Sequence, residues 1–167
     1  MQEVILAPAM TDEATLVASA RHSLASSRGR SATFFDAGGT PLARHVRGVI
    51  AELALASLLG DDVLQHWRGT QAYSETHWTI PCDVGKALHV RATEYLGGKL
   101  ILHDYDPDDG VFVLAVVGVD RVSFLGWLLG AEGKQPRFWN TRWSRPAYAV
   151  SQRHLKPMDT IPQESIR

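Results

Sequence analysis

Cys82 is the single cysteine among 167 residues. Its isolation excludes an intramolecular disulfide and any zinc site built mainly from thiolates, and it fits a reducing cytoplasm. Charge of one sign is equally scarce, because 17 Lys+Arg against 18 Asp+Glu leave a formal net charge of -1. The chain as a whole therefore exerts no bulk pull on nucleic acid, and any such contact must come from a local basic patch. No apolar run approaches the ~20 residues that a membrane helix needs. The longest candidate, "VFVLAVVGV" (111–119), reads as a buried strand. "MQEVILAPAM" has neither the basic start nor the apolar stretch of a secretion signal. These absences imply a cytoplasmic protein without membrane contact. No glycine-rich phosphate loop and no G-x-S-x-G elbow occur, which leaves a P-loop or a serine-hydrolase triad without support.

What remains is an ordinary globular composition, and the length suits one domain, 1–167, with a real core. Residues 12–26 predict a helix with Thr11 or Asp12 as its cap and "SSRGRS" as its end. "FFDAGGTP" (34–41) reads as a connector. Residues 42–59 form the clearest helix, with Leu42, Val46, Val49, Leu53 and Ala56 at helical spacing and Gly60 at the C-terminal cap. It is apolar around most of its circumference, so it should be covered on more than one side. After an irregular Trp- and His-rich segment come four strands, 87–93, 99–103, 111–117 and 122–129. Gly97-Gly98 signals a hairpin between the first two, and short links imply mostly antiparallel pairing. Residues 147–158 suggest a strand and a helical turn, and the polar tail 159–167 is expected to fray. The expected fold is α+β: N-terminal helices (12–60) packed on a central, mostly antiparallel sheet (78–158).

Two constellations carry potential chemistry. Glu52 falls inside the apolar arc of its helix, with His45 on nearly the same line. An acid there needs a partner or a cation. It either pairs with a His or Arg at the core edge or points into a polar site between helix and sheet. Asp83 precedes a strand whose alternation puts His89, Arg91 and Thr93 on one face. Either that face is simply wet, or it belongs to a site. "DYDPDDG" (104–110) lacks the glycine and glutamate of an EF-hand and reads as a solvated turn. "QPRFWNTRWSRPAY" (135–148) interleaves Arg137, Arg142 and Arg145 with aromatics, which suits either nucleic acid or a loop anchored to the sheet by its rings. Trp127, in an alternating apolar run, reads as core.

"HVRGVIAE" (45–52), "LG" (59–60), "DVG" (83–85), "HVRAT" (89–93), "GW" (126–127), "RPAYAV" (145–150) and "LKPM" (155–158) together resemble a group of small, mostly phage-encoded proteins. That group is identified with the PD-(D/E)-x-K, or restriction endonuclease-like, nucleases. The resemblance spans roughly residues 20–158. It implies a helix glutamate, a strand-end aspartate and an E-x-K strand around Mg²⁺ or Mn²⁺, where metal-bound water attacks a phosphodiester. By position Glu52, Asp83, His89 and Arg91 become the catalytic set, with Glu52, Asp83 and His89 as metal ligands. Beside that set, His45 and the arginines of the basic–aromatic stretch, Arg137, Arg142 and Arg145, are the candidate nucleic-acid contacts.

His89 and Arg91 depart from that pattern. Imidazole is a poor ligand for magnesium, and arginine holds a phosphate but cannot act as a base. Cys82 also interrupts the P-D pair. The resemblance thus implies either a nuclease with an altered site or an inactive fold that binds nucleic acid or a host protein.

Overall fold

The computed structural model describes residues 1–27, 40–65, 67, 82–143 and 145–167, with backbone alone for 24–27. Most of the 34–41 connector and of the Trp- and His-rich segment lies outside the described residues. The chain opens with a short strand, β1 (Gln2–Ile5), and continues into α1 (Pro8–Ser27) and α2 (Pro41–Leu59). α1 begins earlier than Thr11 or Asp12, because Pro8 suits the first helical position, where no amide donor is needed. In α2 the Thr40 hydroxyl accepts the Ala43 amide at 3.2 Å, Pro41 follows it, and Gly60 (φ 117°) closes the helix. A short α3 (Asp61–Gln65) follows.

Four strands of the sheet core follow: β2 (Leu88–Thr93), β3 (Leu100–Leu102), β4 (Val111–Val117) and β5 (Arg121–Leu129). The four-stranded sheet has the order β1-β5-β4-β2. β4 and β5 pair antiparallel as expected, but β2 and β4 are parallel. The hairpin expected at Gly97-Gly98 does not form, because β3 leaves this sheet. It joins β6 (Trp139–Asn140) and β7 (Ala147–Val150) in a second sheet of order β3-β7-β6. A parallel pair needs a crossover, and β3, running through the other layer, supplies it here in place of a helix.

The molecule is thus α+β in three layers: helices, mixed sheet, small sheet. β4 lies in the middle, which explains its unbroken apolar run. Val111, Val113 and Ala115 pack in a cluster with α1 and α2 residues such as Ala18, Leu53 and Leu55. Phe112 and Leu114 pack in a second cluster with Leu100, Leu102, Phe138 and Val150.

Several motif residues of the resemblance prove to be joints of this frame. The β4–β5 register slips between Leu114 and Ala115, so Phe124 and Trp127 reach the same cluster although they are three apart. Gly126 sits at that bulge with φ 148°, where a Cβ would stand 2.5 Å from the Lys156 carbonyl. Trp127 exchanges backbone hydrogen bonds with Lys156 at 3.0 and 2.8 Å, and its indole donates to the Pro157 carbonyl at 2.9 Å. "GW" and "LKPM" are therefore one contact. "DVG" is another: Gly85 (φ 60°) passes so close to the Ile166 carbonyl that a Cβ would be 2.8 Å away. The Lys86 and Ala87 amides donate to the Ser165 carbonyl at 3.0 and 3.1 Å. The tail, expected to fray, is instead held in place. Ile161 and Ile166 are buried in the helix-side cluster, and the tail ends in a last short helix, α4 (Gln163–Ile166). Their side chains bring to the core what the polar average of the tail conceals.

Candidate functional site

Glu52 lies on the buried stretch of α2 and meets α1. Arg21 of α1 donates to both of its carboxylate oxygens, at 2.7 and 2.8 Å, and both residues are buried. Of the two readings of Glu52, the arginine pair is the one formed. Such a two-pronged pair fixes the helices in register and compensates the desolvated charges. Burial pushes the Glu52 carboxyl up, Arg21 opposes this, and Asp83 adds to the rise. Asp83 is therefore within electrostatic reach of Glu52. Its own carboxylate accepts the Val90 amide at 2.8 Å, at the open edge of β2.

His45, expected near Glu52, sits against His22 of α1 instead, with ring centroids 5.6 Å apart. Burial lowers its pKa, and His22, Arg21 and Arg44 lower it further.

His89 and Arg91 take the other side of the sheet, as their alternation with Leu88 and Val90 requires. His89 stacks on Phe112 (4.7 Å, 15°), and the Arg91 guanidinium lies 5.0 Å from the same ring. The His89 Nε2 is buried with no hydrogen-bond partner among the described residues. Burial lowers this imidazole, Asp83 opposes the shift and Arg91 adds to it. Glu52 and His89 thus lie on opposite sides of the sheet, with Asp83 at the edge of β2. Among the described residues no three His, Cys, Asp or Glu side chains come together as metal ligands. The set Glu52, Asp83 and His89 does not fit Mg²⁺ or Mn²⁺ in this conformation, since Arg21 holds both oxygens of the helix acid.

The residue that organises the far side is Asp106, which the sequence left within a solvated turn. It is buried, and its carboxylate accepts Arg91 Nη2 and the His103 amide, both at 2.9 Å. Lys134 donates to its carbonyl at 2.7 Å and pairs with Asp108. Next to it His103 stacks on Tyr105 (5.1 Å, 14°), and Arg145 lies 5.8 Å from the Tyr105 ring. Arg91 and Arg145 are thereby brought to one polar surface, joined through Asp106 and Tyr105. Arg137 and Arg142 border the same small sheet, with Phe138 in its core cluster and Trp139 tilted against Tyr148 at 4.7 Å. His45 lies apart from these arginines, in the helix layer.

No protein-family profile, curated protein or solved structure matches the chain. The fold and site therefore define an α+β protein with a sealed ion pair on one side of its sheet and an open arginine–aromatic surface on the other. Among the described residues no helix is long and apolar enough to cross a membrane.

Proposed function

We propose that this chain is a nucleic-acid-binding protein on a frame like that of the PD-(D/E)-x-K nucleases, and that it does not cleave what it binds. The observation that carries this reading is the Arg21 fork on Glu52. A guanidinium occupies the oxygens that a magnesium ion would need, and it compensates the same charge without offering a water to activate. Arg91, where the nuclease lysine would stand, is paired with Asp106 on the small-sheet side. The exposed Arg142 and Arg145 supply the local basic patch that a chain of net charge -1 requires.

A second reading, metal-dependent hydrolysis, is favoured by the half-buried Asp83 carboxylate at the edge of β2, which accepts the Val90 amide and keeps lone pairs for a hard cation. Incubating the purified chain with single- and double-stranded DNA and with RNA, in Mg²⁺ and in Mn²⁺, separates the two. Retention of nucleic acid without strand scission is expected. Scission that Asp83→Ala abolishes would replace binding with hydrolysis. A chain that neither retains nor cleaves any of these nucleic acids would remove both readings.

A further inference from the structure

We propose that the rim of the small sheet takes a single-stranded nucleic acid, with Arg137 on one backbone phosphodiester and the Trp139 ring under a neighbouring base. This inference rests on the nucleic-acid reading above and adds the strand form and the contacting residues.

A groove of about 290 Å³ opens beside Arg137, floored by Leu128 and Phe138 and walled by Glu132, His154 and Lys156. That volume is at the small end of ligand sites, enough for a piece of one strand and too small for a duplex. Lys156 donates to both oxygens of Glu132, at 2.7 and 2.8 Å, and lies 4.7 Å from the centre of the Trp127 ring. Glu132 also accepts the Leu129 amide at 3.1 Å. These two charges compensate each other and stiffen the wall. Arg137 lies 4.7 Å from the Phe138 ring centre and has no ion pair or hydrogen bond among the described residues. One uncompensated cation matches a monoanion, which is what a phosphodiester is. A phosphate dianion would leave one of its charges without a cation here, since Lys156 is already taken by Glu132. His154, edge-on to Phe138 at 5.1 Å, keeps a buried Nδ1 without a hydrogen-bond partner on the same wall.

The chain runs from this groove directly into Trp139, which is 38% exposed and backed by Tyr148. A ring steadied by a tilted neighbour, with over a third of its surface in solvent, offers a stacking platform. Only an unpaired base offers a face to it, because a duplex keeps its base faces stacked inside. Arg142 and Arg145 continue the exposed track beyond it.

The test is fluorescence anisotropy of a labelled oligothymidylate of about 12 nucleotides, and of the matching duplex, with the full chain. The single strand is expected to bind more tightly. Arg137→Ala and Trp139→Ala should each weaken it about tenfold, while Trp139→Phe, which keeps a ring, should recover most of the loss. With three arginine contacts the log–log salt slope should be about -2, and Arg137→Ala should make it shallower by about 0.7. Should Trp139→Ala fail to fold, Arg137→Ala and Trp139→Phe still decide the question. Binding that ignores all these substitutions, or that favours duplex, overturns this site and leaves the broader reading standing. Absence of binding to either form overturns both.

Discussion

On the helix side of the central sheet Arg21 and Glu52 are the buried charged pair, sealed between α1 and α2. On the small-sheet side the buried Asp106 is tied to Arg91, whose side chain keeps 30% of its surface in solvent. The first pair keeps at most a tenth of its side-chain surface in solvent; the second is the inner end of a network that continues through His103 and Tyr105 to exposed Arg145. The contrast separates two uses of charge within one sheet. A sealed pair fixes how helices pack and is closed to ligands. A half-open network positions cations that a ligand can reach.

The sharpest way to break the comparison is to remove one partner from each side. Arg21→Ala leaves the Glu52 carboxylate buried without its cation, and loss of one partner of a buried pair costs about 3–5 kcal/mol. A domain of this size should then melt roughly 10 °C lower. Replacing both residues, Arg21→Met with Glu52→Leu, should return most of that stability, because an apolar pair needs no compensation. Urea unfolding measures both. An Arg21→Ala protein as stable as the parent would mean that water reaches Glu52, and the sealed side would not be sealed.

The joint between the layers comes next in size. Gly126→Ala forces a Cβ against the Lys156 carbonyl at a φ that side chains rarely adopt. It should cost about 2 kcal/mol or more, since both overpacking and backbone strain act together. The loss should be accompanied by a change in Trp127 fluorescence, because that indole is fixed by the same strand contact. An unchanged melting point would show that the bulge relaxes freely.

How far the sequence foretold this arrangement depends on the range of the interaction. α2 is legible from its helical spacing and its Gly60 cap, and β4 as an apolar run, because these are local signals; the Thr40 cap and Pro41 are hidden in what reads as a connector. The parallel pairing of β2 with β4 is not legible, since it depends on β3 entering a second sheet, which no residue near Gly97-Gly98 announces. β1 escaped notice because a four-residue edge strand with three exposed positions leaves no clear alternation. Glu52 was marked as an anomaly, but its partner is 31 positions away on α1, where Arg21 looks like any helix-surface arginine. In "DYDPDDG" all four acids look alike, and only the tertiary path of β2 selects Asp106 to meet Arg91. Along the chain Glu52, Asp83, His89 and Arg91 read as one group; in the fold Glu52 is on the helix side of the sheet, His89 and Arg91 are on the other, and Asp83 is at the strand edge.

On the open side, Asp106→Asn removes the charge that holds Arg91 while keeping the shape. Both hydrogen bonds involve a polar group that solvent partly replaces at Arg91, so the expected loss is about 1–2 kcal/mol. It should be clearly smaller than that of Arg21→Ala. Amide hydrogen exchange at His103 should also quicken, because that amide donates to the Asp106 carboxylate. Equal losses from the two substitutions would erase the distinction between sealed and open charge.

The smallest effect lies in the pH dependence of the two sides. Burial lowers the pKa of His45, His89 and His103 below the ordinary imidazole value. Between that value, about 6.5, and the lowered ones, the unfolded chain binds more protons than the folded chain. Stability contributed by these three groups is therefore present above about pH 6.5 and is lost as pH falls through their folded values. The sides differ in what surrounds each ring. His45 is lowered further by its neighbours on the helix side, the Arg21 and Arg44 guanidiniums among them, whereas Asp106 partly offsets the shifts of His89 and His103. Asp106→Asn should push the latter two lower still and leave His45 where it was, as proton NMR titration of the three imidazoles would record. A shift of His45 in that variant would mean that charge on one face is felt on the other, and the sheet would not insulate them.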